Sequence, residues 1–336
     1  MELFVRLNPL CDKKSLKVMK RLSQPDLVEL FICPDCGSEQ LDEVDGSLLC
    51  VDCKSTYEVF KGRYVLLSEQ NELFPPSAYR GNSAEPNTNG GRFRKLKKFV
   101  PKKSVNIAKD RMFKKLAAEH GDKGEVILIV GCGNQTEQLK RYFLGNNTTF
   151  VFCDIDKNAD VDLFCDSHAI PFISETFDGV ITTAVLEHVL NPGEVVSEMV
   201  RVLKPGGFIY SEIPFLQSVH EGAYDFTRFT MTGHRLLLNR FNEIDAGIVG
   251  GSGTALVWSI SDFFKGFSSH AGISSGLSMV ARIMFFWLKY FDYLMRDNPH
   301  ALNAASATYF YGRKSDHTVT AVAIISKYNG TEVKHT

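Results

Sequence analysis

Apolar and polar positions change period several times along the chain. Four short apolar runs stand out: EVILIV (125–130), TTFVFCDI (148–155), FDGVITTAV (177–185) and GGFIYSEIPF (206–215). Between the last two lies PGEVVSEMVRVLK (192–204), whose apolar residues recur at helical spacing. Runs apolar on both faces predict buried strands, and their alternation with helices predicts βαβ units: a parallel sheet with helices on both faces. One interval breaks this rhythm. The eleven residues between Asp154 and Asp166 are too few for a crossover helix, so a loop is predicted there. Beyond Val249 the chain is largely apolar and partly helical to Met295, after which ATYFYGRK (307–314) and TVTAVAIIS (318–326) predict closing strands. Upstream, residues 71–104 collect proline, glycine and asparagine before a basic run, the composition of a linker. No internal repeat recurs at a fixed period.

At 336 residues the chain has room for one large domain and a smaller module. A net charge of −1 excludes a general attraction for polyanions, so contact with nucleic acid or anionic lipid requires a local patch. The opening MELFVRLNPLCDKK lacks the long apolar core of a secretion signal. A cytoplasmic location is therefore expected, with the eight cysteines as thiols or metal ligands.

Four of those cysteines lie within residues 29–70, as Cys33-x-x-Cys36 and Cys50-x-x-Cys53. Each knuckle aims two thiolates at one point, and two knuckles complete the closed four-sulfur set of a structural zinc. Four reduced thiols, or a redox pair, are the alternatives. So short a segment has little core, and a metal supplies the missing stability. The stretch resembles the zinc-ribbon-like domains found beside methyltransferases or fused ahead of them, and STYEVFKGRYVLL matches their closing strands.

In EVILIVGCGNQTEQL, Gly131 and Gly133 let the backbone approach a ligand at a helix start. The third glycine of a dinucleotide loop is replaced by Thr136, and the Gly-Lys-Ser/Thr ending of a phosphate loop is absent. The residues that follow are more specific. FVFCDID ends a strand on Asp154, where a carboxylate accepts the hydroxyls of a ribose. Then come CDSHAIPF with Asp166, FDGVITTAVLEHV, VLKPGG and a strand ending SEIPF.

In this order the motifs resemble a class I S-adenosylmethionine-dependent methyltransferase, type 11-like, over about residues 125–315. The resemblance implies a Rossmann-like α/β sheet. It places S-adenosyl-L-methionine at Gly131, Gly133 and Asn134, with its ribose on Asp154 and its adenine amino group on Asp166 beside Ser167. Ala184 and His188 are implied at the same cofactor. Two departures are visible: Ile129 stands where an acidic residue usually meets the methionine amino group, and Gln135 replaces a frequent glycine. A solvated turn carboxylate is the plain alternative for Asp154 and for Asp166.

Methyl transfer from a sulfonium needs alignment and removal of a proton more than it needs leaving-group activation. The relevant groups belong just past the fourth and fifth strands. After the fourth come Glu187 and His188, expected at the start of a helix. No Asn/Asp-Pro-Pro-Tyr signature of base methylation is present. After the fifth, HEGAYDFTRFTMTGH resembles the family's acceptor lid, with His220 as general base or orienter, Asp225 as its partner, and Tyr224 and Arg228 as acceptor contacts. Alternatively Asp225 and Arg228 only staple the loop.

Two segments speak to partners. Arg92–Lys103 carries seven basic residues in twelve and suits phosphates of RNA, of a nucleotide sugar or of lipid, or serves as a solvated linker. Gly276–Met295 is too interrupted by Arg282, Lys289 and Asp292 for a membrane span. Arg282, Lys289 and Arg296 would line one helical face as a basic stripe, which suits a helix in a membrane interface or one buried against the domain or a second subunit.

The expected division is an N-terminal extension (1–28), a zinc-ribbon-like domain (29–70), a linker with a basic segment and lead-in helix (71–123), and a methyltransferase domain (124–330) with an apolar helical insertion (254–306). The leading function is methyl transfer to a small-molecule or glycan-type acceptor, lipid-linked in one version, placing the protein at the inner face of a membrane. An RNA methyltransferase is the first competitor, and a non-catalytic partner with a degenerate methyltransferase fold is the second.

Overall fold

The computed structural model describes residues 19–80, 100–133 and 136–328. Asn134, Gln135 and the Arg92–Phe99 part of the basic run lie outside the described residues.

The first elements are β1 (Lys20–Arg21) and α1 (Gln24–Val28), the latter capped by Ser23. After the first cysteine knuckle, β2 (Leu41–Val44) and β3 (Ser47–Cys50) form an antiparallel hairpin. Its two-residue turn, Asp45-Gly46, has φ of 51° and 77°, the left-handed pair that matches strand twist. β4 (Thr56–Tyr57) pairs with β3, and a second hairpin joins β5 (Val59–Phe60) to β6 (Arg63–Leu66).

The lead-in helix α2 (Lys109–His120) precedes β7 (Val126–Val130), α3 (Thr136–Phe143), β8 (Thr149–Asp154) and β9 (Leu163–Cys165). β10 (Phe177–Thr183), α4 (Pro192–Val202), β11 (Leu203–Pro214), α5 (Met231–Leu237) and β12 (Phe241–Gly250) follow. A helical insertion comes next, then β13 (Ala307–Lys314). The sheet order is β12-β13-β11-β10-β7-β8-β9-β6-β5, with β1 on β8. β7 to β11 pair in parallel, and β13 runs antiparallel between β11 and β12. As expected, the chain crosses from β8 to β9 by a loop. Because β6 pairs in parallel with β9, the ribbon's last hairpin extends the central sheet.

Alternate side chains of β7 enter opposite cores. Leu128 and Val130 pack with Val195 and Met199 of α4, while Ile127 and Ile129 pack with Met112 and Leu116 of α2 and Leu139 of α3. Leu27, Phe31 and Cys33 belong to the α4 side, so the ribbon and the sheet share one core. The chain winds outward one way through β8 and β9 and the other way through β10 and β11. The carboxyl ends of β7 and β10 thus form the switch point at which an open α/β sheet leaves a crevice.

The insertion comprises α6 (Ser252–Lys265), α7 (Ala271–Phe285), a 3-10 segment Phe286–Phe291 and α8 (Asp292–Met295). Asp292 is fully buried and caps α6, accepting the Gly253 and Thr254 N–H groups at 2.8 and 3.0 Å. A side chain at Gly253 would come within 2.3 Å of the Leu288 carbonyl, so the hairpin closes only with glycine there.

Three sequence expectations need correction. TVTAVAIIS does not form a strand; Ala321–Ser326 is the helix α9, because the Thr320 side chain caps the Ala323 N–H and Ile324 supplies its buried face. The basic stripe does not hold together: Arg282 and Lys289 turn inward while Arg296 stays exposed. Arg282 donates to the Pro101 carbonyl, Lys289 to that of Lys102 at 2.6 Å, and Arg296 pairs with Asp297. The insertion is also not packed away against the domain: Ala271–Met295, with a mean hydropathy of 1.4, is only 11% buried over its most apolar window. Leu294 is 80% exposed and Phe267, between α6 and α7, is 68% exposed.

Candidate active site

The glycine loop leaves β7 with φ of 66° at Gly131 and 46° at Gly133. The Gly131 and Cys132 N–H groups both turn to the Cys153 carbonyl of β8. Gly133 donates its N–H to the Asp154 carboxylate at 2.7 Å, and the other carboxylate oxygen accepts from Ile155 and Asp156. Burial raises the Asp154 pKa while these N–H groups pull it down. Asp154 therefore holds the loop closed from the end of β8, and a side chain at Gly131 would meet Val185 Cγ2 at 2.2 Å.

Asp166 follows β9. It accepts from the His168 ring at 2.7 Å, the His168 N–H at 2.9 Å and Asn71 Nδ2 at 2.7 Å. Ser167 sits half-buried at the next position. A cavity of about 220 Å³ lies here between the ribbon and the sheet, walled by Pro34, Leu66, Ser68, Asn71, Asp166 and His168.

A second cavity, of about 200 Å³, lies against the ends of β10 and β11. Asn106, Ala184, Glu212, Gln217, Thr254 and Ser306 are among its lining residues. Ala184 has φ of 57° and donates its N–H to the Glu212 carbonyl at 2.9 Å. The Glu212 carboxylate accepts from Tyr210 at 2.6 Å and from Asn106 at 2.9 Å, and burial raises its pKa.

Beside it the acceptor-side residues converge. Glu187 and His188 lie in a turn and not in a helix, since α4 begins only at Pro192 after the Asn191 cap. Glu187 is fully buried, with no hydrogen-bond partner for either carboxylate oxygen among the described residues. That burial pushes its pKa up to about 8. His188 donates from Nδ1 to the Tyr224 carbonyl at 2.7 Å. The His220 ring lies 4.9 Å from that of His188 and 6.1 Å from Trp258 of α6, centroid to centroid. Asp225 binds Arg228 through both oxygens, including Nη2 at 2.6 Å, and accepts the His220 backbone N–H at 2.9 Å. Arg228 holds the Asp225 pKa down to about 2. The His220 ring itself donates to the Ser218 carbonyl at 3.2 Å, with Asp225 at 3.4 Å. The pair forms without a helical turn around it, and it secures the loop to Gln217 and Ser218. Tyr224 is exposed, its ring stacked on Phe74 at 6.0 Å.

Residues 128–211 match the family model described as a methyltransferase domain. The chain carries a methyltransferase domain. Its mostly parallel sheet with helices on both faces is the Rossmann-like class I form. Among solved structures it is similar to a SAM-dependent methyltransferase from Aquifex aeolicus, at 17% identity and TM-score 0.35, covering 46% of this chain and 92% of that one. It is also similar to phosphoethanolamine N-methyltransferase 2 of Haemonchus contortus in complex with S-adenosyl-L-methionine, at 13% identity and TM-score 0.41, covering 63% and 54%. No curated protein matches the chain.

Outside the methyltransferase domain, the four ribbon thiols gather as the spacing predicts. One sulfur from each of Cys33, Cys36, Cys50 and Cys53 lies within 4.8 Å of all the others, with Cys33 to Cys53 at 3.5 Å and Cys36 to Cys50 at 3.6 Å. A tetrahedron with metal–sulfur bonds of about 2.3 Å has edges of roughly 3.8 Å, so the set fits zinc.

Sequence reading did not single out Asn106, Glu212 or Thr254. Glu212 stood inside the SEIPF motif, but nothing local marks Asn106, whose carboxylate partner is 106 residues away.

The Gly131 geometry gives a direct comparison. Gly131→Ala should lower unfolding free energy by roughly 3 kcal/mol, through backbone strain and the Val185 clash, whereas Gly133→Ala, with open space around its Cβ, should cost about 1 kcal/mol. Chemical denaturation of the two variants checks the order; equal losses would contradict the packing argument.

Proposed function

We propose that the protein transfers a methyl group from S-adenosylmethionine to a hydroxylated small-molecule or glycan-type acceptor carried on a lipid, at the inner face of a membrane. The observation that carries this reading is the joining of Gly133 to Asp154 across the carboxyl ends of β7 and β8, in a sheet whose β10 and β11 ends carry the cavity at Ala184 and Glu212. Gly131 and Gly133 would leave backbone room for the cofactor, Asp154 would receive its ribose hydroxyls, and Asp166 its adenine amino group. The cofactor supplies an electrophilic methyl on a sulfonium. The acceptor's lone pair forms the new bond to carbon, the carbon–sulfur pair returns to sulfur, and the acceptor proton must leave. His220, backed by Asp225, would orient the acceptor or take that proton.

The lipid-linked acceptor is supported by the insertion. Thr254 of α6 lines the cavity, and the same helical unit presents Phe263, Phe267, Ile273, Met284, Trp287 and Leu294 to the outside. Arg282 and Lys289 are engaged inward on the carbonyls of Pro101 and Lys102, leaving this apolar face for hydrocarbon. The ribbon's four thiolates would hold a structural zinc that stabilises the core it shares with the sheet.

Calorimetric titration with S-adenosylhomocysteine should give micromolar binding that Asp154→Ala weakens at least about tenfold, the loss of a charged hydrogen-bond acceptor. Absence of binding by folded protein would favour a non-catalytic partner. Zinc analysis should find the metal in purified protein, and its chelation should lower the thermal midpoint; a metal-free protein of unchanged stability would refute the zinc assignment. In co-sedimentation with anionic phosphatidylglycerol vesicles the full chain should pellet, and Phe267→Glu with Leu294→Glu should remain in the supernatant. Failure of the unmodified chain to pellet, with dimers on sizing, would transfer the apolar face to a second copy.

A further inference from the structure

We infer that Glu187, His188 and His220 form a binding site for a divalent transition-metal cation on the acceptor side of the methyltransferase domain. One ligand atom from each residue lies within 4.8 Å of the other two. Three further observations point to a ligand in that space.

Glu187 is fully buried, yet neither of its oxygens has a partner among the described residues. A carboxylate stripped of water normally recovers the loss through hydrogen bonds, a counter-charge or a metal. Arg228 is the neighbouring cation, but Asp225 engages its guanidinium through both oxygens.

The two imidazoles are oriented alike. His188 Nδ1 faces the Tyr224 carbonyl at 2.7 Å and His220 Nδ1 faces the Ser218 carbonyl at 3.2 Å. A carbonyl only accepts, so each Nδ1 carries a proton, and in the neutral ring each Nε2 keeps a lone pair. This is the arrangement by which backbone carbonyls fix metal-ligating histidines. His188 Nε2 then stands 3.6 Å from Glu187 Oε1.

Charges of both signs surround the site, Arg228 on one hand and Asp225 and Glu221 on the other. The imidazole side is the open one, with His188 and His220 side chains 19% and 22% exposed. Three protein ligands leave coordination positions there for an oxygen ligand. Two imidazole nitrogens and one carboxylate suit manganese, cobalt, iron or zinc better than magnesium or calcium. Cation binding stands independently of the methyl-transfer reading. Its use rests on that reading: a hydroxyl of the acceptor, bound at an open position, would lose its proton to solvent more readily and attack as the alkoxide.

The test uses the full chain with its ribbon loaded with zinc. Manganese(II) is titrated while the free-ion electron paramagnetic resonance signal is followed. Cobalt(II) is titrated in parallel, since its visible absorption separates nitrogen and oxygen ligation from thiolate ligation. Binding of a single equivalent is expected, weakened about ten- to a hundredfold by Glu187→Gln and by His188→Gln. Near-ultraviolet circular dichroism confirms that the variants stay folded, and His220→Gln serves if either does not. Stoichiometric binding by neither ion, or binding that all these variants retain, would overturn the site. S-adenosylhomocysteine titration of the same sample keeps that failure distinct from failure of the methyltransferase reading.

Discussion

Burial of β7 on both faces is the constraint on which the rest depends. Ile127 to Val130 have lost essentially all contact with water, because α2 and α3 cover one side and α4 the other. A strand held this way cannot slide, since a one-residue slip would exchange its two cores. The position of Gly131 follows, and with it the approach of Gly133 to Asp154 from the neighbouring strand. β10, on the other flank, is fixed by the same packing, which sets Ala184 and the Glu187 turn at the far side of one crevice.

Buried acids in this molecule fall into two groups. Asp292 caps a helix, Asp225 is paired with arginine, and Glu212 accepts from a tyrosine and an asparagine. Each is compensated in a way that accounts for its burial and makes it part of the scaffold. Glu187 is equally buried, but neither of its carboxyl oxygens has a hydrogen-bond partner among the described residues. A buried carboxyl without partners is costly to stability and tends to mark the place where a ligand, a proton or an ion completes the structure. The contrast, not the mere presence of acidic residues, separates the acceptor side from the rest of the fold.

The insertion inverts the usual distribution. Its polar groups, Arg282, Lys289 and Asp292, are spent on carbonyls of residues 101–102 and on the start of α6, and its large apolar side chains are left outside. The helices keep their place through those few polar anchors and one close glycine contact, so their outer face is free to be apolar without loosening the domain.

Sequence alone determined the elements whose signal is local. The alternating apolar runs gave the strands and the parallel sheet, the short Asp154–Asp166 interval gave the loop between β8 and β9, and the paired knuckles gave the four-sulfur cluster. Local signals misled where two structures share one composition: the β-branched run 318–326 is a helix because Thr320 caps it. Tertiary structure alone decided which way Arg282 and Lys289 point, that the ribbon's last hairpin completes the main sheet, and that Asn106 reaches Glu212. It also decided that the Glu187 carboxyl has no hydrogen-bond partner among the described residues. Those facts depend on contacts between residues tens to nearly two hundred positions apart, and a one-dimensional pattern carries periodicity and spacing but not the identity of a distant neighbour.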